Sequence, residues 1–253
     1  MWDYKRKVII ATFFYKQQGY LDYINSITTS LLVMERMKVK FDYWPTSGNF
    51  HMGVCVNDVL SKFLRSDYDD IVLIDSDEGF DADSLMRLLM HDEEIVCGVY
   101  RLTNPHKREY PVCLKNDDEG AYLGKMLKDG NCLLSADKIP GGFLKIAKTA
   151  LEKWVQAYPD DWLHPEDAKV YTFFKDEIRD HVFNGMDYVF AETMKKAGVP
   201  LFVDPMCNIR HWGMFSYEGT LDEHLRLLKL NQESKWAFDE VAKMAKEVEA
   251  RRG

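Results

Sequence analysis

The stretch DDIVLIDSDEGFDADSL (69–85) drives four apolar residues, Ile71 to Ile74, straight into Asp75, Asp77 and Glu78. Two carboxylates ~5 Å apart at an effective dielectric of ~20 repel by roughly 3 kcal/mol. Water, a protonation shift or a cation must offset that repulsion. A solvated acidic turn accounts for Asp81 and Asp83, which suit the start of a following helix and its dipole. It gives no reason for Asp75 and Asp77, which come earlier, directly behind the apolar run. A divalent cation does give one. Two acids one residue apart at a strand end can both approach a hard cation that takes oxygen ligands and retains water. Such an ion neutralises a departing diphosphate as a Lewis acid.

The elements around this cluster follow from hydrophobic period. KVIIATFF (7–14) is a short β-forming run, expected as a buried first strand. LDYINSITTSLLVMERM (21–37) spaces Leu21, Ile24, Ile27, Leu31 and Met34 as a helix does. VKFDYW (39–44) predicts a second strand closed by Pro45, and VCVNDVLSKFLRS (54–66) a second helix. DIVLID (70–75) is the third strand, DSLMRLLMH (83–91) a helix and EIVCGVY (94–100) a fourth strand. This alternation implies an α/β fold with a largely parallel, twisted sheet and helices on both faces. Ligands in such sheets sit beyond the carboxyl ends of strands, where Asp75 to Glu78 fall. Farther on, YPVCLK (110–115) and CLLSA (132–136) are expected as strands, and GGFLKIAKTALEKWVQA (141–157) as a strand or a helix. Residues 158–183 lack a clean period and suit a substrate-facing loop region. MDYVFAETMKKAG (186–198) predicts a helix, PLFVDP (200–205) a strand, and 221–253 a long helical stretch. One domain over 1–220 is expected, with 221–253 as a helical extension packed on it or on a second copy of the chain in a homo-oligomer.

Composition narrows the function. The 253 residues are 46% hydrophobic and 13% aromatic, enough for a substantial core. A net charge of -8 argues against a general nucleic-acid footprint. Cys55, Cys97, Cys113, Cys132 and Cys207 are odd in number and widely spaced, indicating neither a disulfide framework nor a zinc site. No apolar run approaches the ~18 residues needed to span a bilayer. A soluble, cytoplasmic protein is the expectation.

Haloacid-dehalogenase-type phosphatases also place an Asp behind a strand in a D-x-D pattern. Theirs continues into Thr or Val near the start of the chain, whereas Glu78-Gly79 follows here. The order apolar strand, LIDSD, GF, helix, IVCGVY instead resembles the GT-A-fold (Rossmann-like) nucleotide-sugar glycosyltransferases, especially short forms from bacteriophages and large DNA viruses. The resemblance extends over about residues 7–213 through three further segments. IPGGFLKIAKTALEK (139–153) is similar to a glycine segment that lets backbone approach the donor sugar. NGMDYVFAETMKKAGVPLFVDP (184–205) is similar to an acid-led helix followed by a strand, and NIRHWG (208–213) to a late His-x-Gly segment.

The resemblance implies a metal-dependent transfer of sugar from a nucleoside-diphosphate sugar to a hydroxyl acceptor, a glycan or a hydroxymethylated base in viral DNA. Mn2+ or Mg2+ would be held by Asp75, Asp77 and His211. Asp187 would be the general base of an inverting reaction. Thr12, Asn57, Asp75, Ser76, Gly141 and Gly142 would face the donor. Two positions depart from the pattern: Met186 replaces a Glu beside Asp187, and Val56 replaces an Arg beside Asn57.

Overall fold

Alternation along the first strand sets the layers. The computed structural model describes residues 5–15, 18–48, 51–104, 106–127, 132–163, 168–213 and 216–229. In β1 (Lys7–Tyr15), Ile9, Ala11 and Phe13 enter one hydrophobic cluster while Val8 and Ile10 enter another. Successive strand residues point to opposite faces, so a run buried on both sides must be apolar throughout. The chain continues through α1 (Leu21–Arg36), β2 (Lys40–Gly48), α2 (Met52–Arg65), β3 (Asp70–Asp75), β4 (Glu78–Phe80), α3 (Ala82–Met90) and β5 (Ile95–Cys97). β6 (Cys113–Leu114), β7 (Gly124–Met126), β8 (Cys132–Lys138), β9 (Phe143–Ala147) and α4 (Lys148–Ala157) follow. The last elements are β10 (Trp162–Leu163), β11 (Val170–Tyr171), β12 (Glu177–Arg179), β13 (Val182–Asn184), α5 (Met186–Lys196), β14 (Leu201–Val203), β15 (Ile209–Trp212) and β16 (Ser216–Tyr217).

The central sheet has the order β2-β1-β3-β9-β5-β14-β8-β6, with β7 paired to β8. β8 and β9 run against the other strands, which share one direction. The fold is therefore a mixed, mostly parallel α/β sheet of the GT-A, Rossmann-like class. Leu85, Leu88 and Leu89 of α3 join Tyr23, Ile27 and Met34 of α1 over one face. Val59, Leu60 and Phe63 of α2, Leu151 and Trp154 of α4, and Phe190 and Met194 of α5 cover the other. Each of these helices buries residues three and four apart, the stripe their sequences carry.

Several elements differ from the sequence reading. The 141–157 stretch is both a strand and a helix, β9 turning directly into α4. Residues 158–183 are not a loop throughout, because they hold the β10–β11 ladder and the β12–β13 hairpin. Asp180 and His181 take positive φ values of 49° and 64° between β12 and β13, as a two-residue hairpin turn of that kind demands. DSDEGF contains a strand: β4 pairs with β15 in a separate sheet with β16. Of the C-terminal stretch, 221–229 is helical and the rest lies outside the described residues. Leu221 is buried within the larger hydrophobic cluster, and Leu225 packs against it. No helix among the described residues is long and apolar enough to cross a membrane.

Candidate active site

The site lies where β3 ends. β3 pairs with β9, and the Asp75 N–H donates to the Gly142 carbonyl at 2.9 Å. Because β9 runs antiparallel, its beginning rather than its end meets the carboxyl end of β3. Gly141 and Gly142 are thereby set beside Asp75. A Cβ on Gly142 would press on Glu78 Oε1 and lie 2.9 Å from Asp75 Oδ2, so a side chain there would have to displace these carboxylates. The Gly141 N–H donates to Asp187 Oδ2 at 3.2 Å, which ties the first turn of α5 to the same loop. Asp75, Glu78 and Asp187 thus converge on the glycine pair from three elements.

The fourth element is β15. Its register sets His211 directly opposite Glu78, and Trp212 N–H donates to the Asp77 carbonyl at 2.9 Å. His211 Nε2 stands 3.7 Å from Asp77 Oδ2. The other ring nitrogen, Nδ1, is 3.1 Å from the Arg101 carbonyl, an acceptor only, so Nδ1 carries the proton and donates. Nε2 is then the nitrogen that faces Asp77, donating to it when the ring is charged and open to a metal when the ring is neutral. Tyr100 packs on the ring at 4.7 Å between centroids. Arg210 and Trp212, on either side of His211, both donate to Asp22 of α1, at 2.8–3.0 Å. Arg210 also bonds Asp81 at 2.9 Å. β15 is therefore fastened to α1 through alternate residues, while His211 between them faces the acids.

The electrostatics are those of a crowded acidic pocket. Burial, reinforced by Asp77 and Asp187 and eased by His211, pushes the Asp75 carboxyl up to about 7. Burial raises Asp187 to about 6, against the pull of the Gly141 N–H. Burial also holds Glu78 well above the usual carboxylate range, with Asp75, Asp77 and Asp187 adding to it. For His211 burial disfavours the charged ring, but the hydrogen bond and charge of Asp77 outweigh it and the net shift is upward. Both Glu78 oxygens are buried without a hydrogen-bond partner among the described residues. An unpaired buried carboxylate with further acids and an imidazole around it is a donor set suited to a hard divalent cation. Among the described residues, no three His, Cys, Asp or Glu side chains are already gathered as a cage. When bound, an ion held by Asp77 and His211 with Asp75 would supply Lewis-acid stabilisation of a diphosphate.

Of the residues expected from sequence, Asp75, Asp77, His211, Gly141, Gly142 and Asp187 come together. Ser76 is buried among them, its hydroxyl 3.3 Å from the Gln18 carbonyl and its own carbonyl accepting from Tyr20 N–H. Thr12 and Asn57 are hydrogen-bonded apart from these carboxylates. Thr12 Oγ1 is buried and 2.6 Å from Tyr23 Oη, which is 3.0 Å from Tyr43 Oη. Asn57 is buried on α2, donating to the Phe174 carbonyl at 2.7 Å and accepting from its N–H at 2.8 Å. Phe174 in turn stacks on Phe190 and approaches Gly141, so Asn57 braces the site from beneath. Glu78 and Tyr100 join the site without a sequence motif that gives either a role. The position of Glu78 beside Asp77 is a sequence signal, whereas its burial comes from the pairing with β15.

No protein-family model and no curated protein matches the chain. Among solved structures it is similar to the protein A197 from STIV, at 18% identity over 82% of this chain and 86% of that one, with a TM-score of 0.47. It is also similar to GalNAc-T7 solved with UDP, GalNAc and Mn2+, at 8% identity and TM-score 0.48, over 81% of this chain and 43% of that one. An inositol-1-phosphate CTP transferase from T. maritima shares 12% identity over 79% of this chain and 84% of that one, with a TM-score of 0.40. Identities this low, with TM-scores below one half, leave function to be argued from the site itself.

Proposed function

We propose that the chain is a divalent-cation-dependent glycosyltransferase that moves a sugar from a nucleoside-diphosphate donor to a hydroxyl on a glycan or a hydroxymethylated base, with inversion. The observation that carries this reading is the placement of Asp187 across the Gly141–Gly142 loop from the Asp75, Asp77 and His211 group. Asp187 takes the acceptor's proton as its oxygen attacks the anomeric carbon, and the bond from that carbon to the diphosphate breaks. With its carboxyl raised to about 6, Asp187 is ionised at pH 7 yet basic enough to accept that proton. The glycine pair leaves room for the Asp75, Glu78 and Asp187 carboxylates to gather against its backbone. Residues Asp77 and His211 would hold Mn2+ or Mg2+ against the diphosphate.

Thermal unfolding with a panel of nucleotide sugars, with and without Mn2+, tests this directly. The expected outcome is a metal-dependent rise in melting temperature for at least one donor, by mass action. The Asp77→Asn variant should lose the rise and lose transfer while remaining folded. Full activity of Asp77→Asn in the presence of a chelator would refute the mechanism.

A non-catalytic nucleotide-sugar or glycan-binding module of this fold is favoured by one observation, the apolar Met186 at the first position of α5. Donor binding by calorimetry with no turnover across an acceptor panel would decide for it.

A further inference from the structure

Glu78 is wholly excluded from solvent, at 0% exposure, and neither of its oxygens has a hydrogen-bond partner among the described residues. Buried carboxylates are ordinarily paired or bound to metal, since desolvation of an isolated charge is severe. Two constraints aim this one into the site. In the β4–β15 ladder Glu78 opposes His211, and directly opposed residues project to the same face. At the other end, Glu78 Oε1 and Asp75 Oδ2 flank the point that a Cβ on Gly142 would occupy. The carboxylate therefore lies between the imidazole strand and the glycine loop, with no group among the described residues to satisfy it.

We propose that Glu78 is a further acidic ligand of the divalent cation, completing with Asp77 and His211 a set whose charge is balanced only when the ion is bound. This rests on the cation-dependent reading above and adds a residue to it. Asp77, with its side chain 41% exposed, is free to turn inward, whereas Glu78 is fixed by its strand. The ion would then be gripped from β4 and β15 together, and its affinity would follow the number of charged ligands.

Calorimetric titration of the full chain with Mn2+ alone, without donor, separates the possibilities. Wild type is expected to bind a single Mn2+, Asp77→Asn to lose it, and Glu78→Gln to bind it about tenfold more weakly or worse. Glu78→Gln should also melt, without metal, close to the wild-type temperature, because the amide keeps the shape of the carboxyl and brings no charge to bury. Mn2+ affinity of Glu78→Gln within roughly twofold of wild type would overturn the assignment. If Asp77→Asn still loses binding in that case, Glu78 is a neutral, protonated wall residue and the proposed function stands. No Mn2+ binding by wild type overturns both. Should Glu78→Gln fail to fold, Glu78→Asp keeps the charge on a shorter arm. Weakened Mn2+ binding by that variant supports the assignment, and unchanged binding refutes it.

Discussion

Asp187 combines a position at the start of α5, a hydrogen bond from Gly141 N–H and a carboxyl raised by burial to about 6. Replacing it with Asn should lower kcat by about 10²–10⁴-fold, the usual contribution of a general base, while leaving donor binding intact. In wild type, kcat/KM should rise with pH through about 6 as this carboxyl ionises. A flat profile between pH 5 and 7 would remove Asp187 from that role. The same shift has a stability consequence. Between the ordinary 3.8 and about 6 the folded protein binds more protons at Asp187 than the unfolded chain does. Its contribution is fully present below the lower value and is lost as pH rises through the upper one. Asp75 extends that window to about 7. The metal-free melting temperature should therefore fall between pH 5 and 7.5, and Asp187→Asn should flatten the fall. At this scale the sequence was partly legible. Asp75 and Asp77 stand out because acids behind four apolar residues have no packing reason to be there. Thr12 and Asn57 carry no such signal, because a small polar residue that is satisfied inside the protein looks, in sequence, like one that meets a ligand.

The elements were readable where a single stripe or run decides the outcome, as in β1, β3, α1 and α2. They were not readable where pairing decides. β4 has only three residues and exists because β15, far along the chain, supplies its partner. The direction of β9 is likewise invisible in FLKIA, yet it is what turns the glycine pair toward Asp75. The small strands between 158 and 183 depend on local turn geometry, including two residues with positive φ, and carry no period. Within this layer Asn57 fastens α2 to the backbone of Phe174 through both ends of its amide. Asn57→Ala would leave a buried N–H and a buried carbonyl without partners, at about 2 kcal/mol or more. Chemical denaturation should show that loss, with a slackened site as its companion. Stability unchanged from wild type would mean that Asn57 is not a brace.

At the scale of the whole molecule, the helix over 221–229 is tied to the domain through Leu221, 2% exposed in the larger cluster. Leu221→Ala should destabilise the fold by about 2–5 kcal/mol, as large-to-small changes in a core do. If the variant instead altered only the mass in solution, the helix would belong to an interface between copies. The strand order has a consequence for how the protein is made. β3 and β5 are synthesised early, but the strand between them, β9, comes later, and the far neighbour of β5 is β14. A nascent chain that has emerged only as far as β8 holds β3 and β5 with nothing to join them, and their exposed edges invite mispairing. Folding on the ribosome must wait for Val203, and the acidic end closes later still, once β15 has left the exit tunnel. The chain's unpaired strand edges are therefore exposed for longest during translation, until these last strands appear.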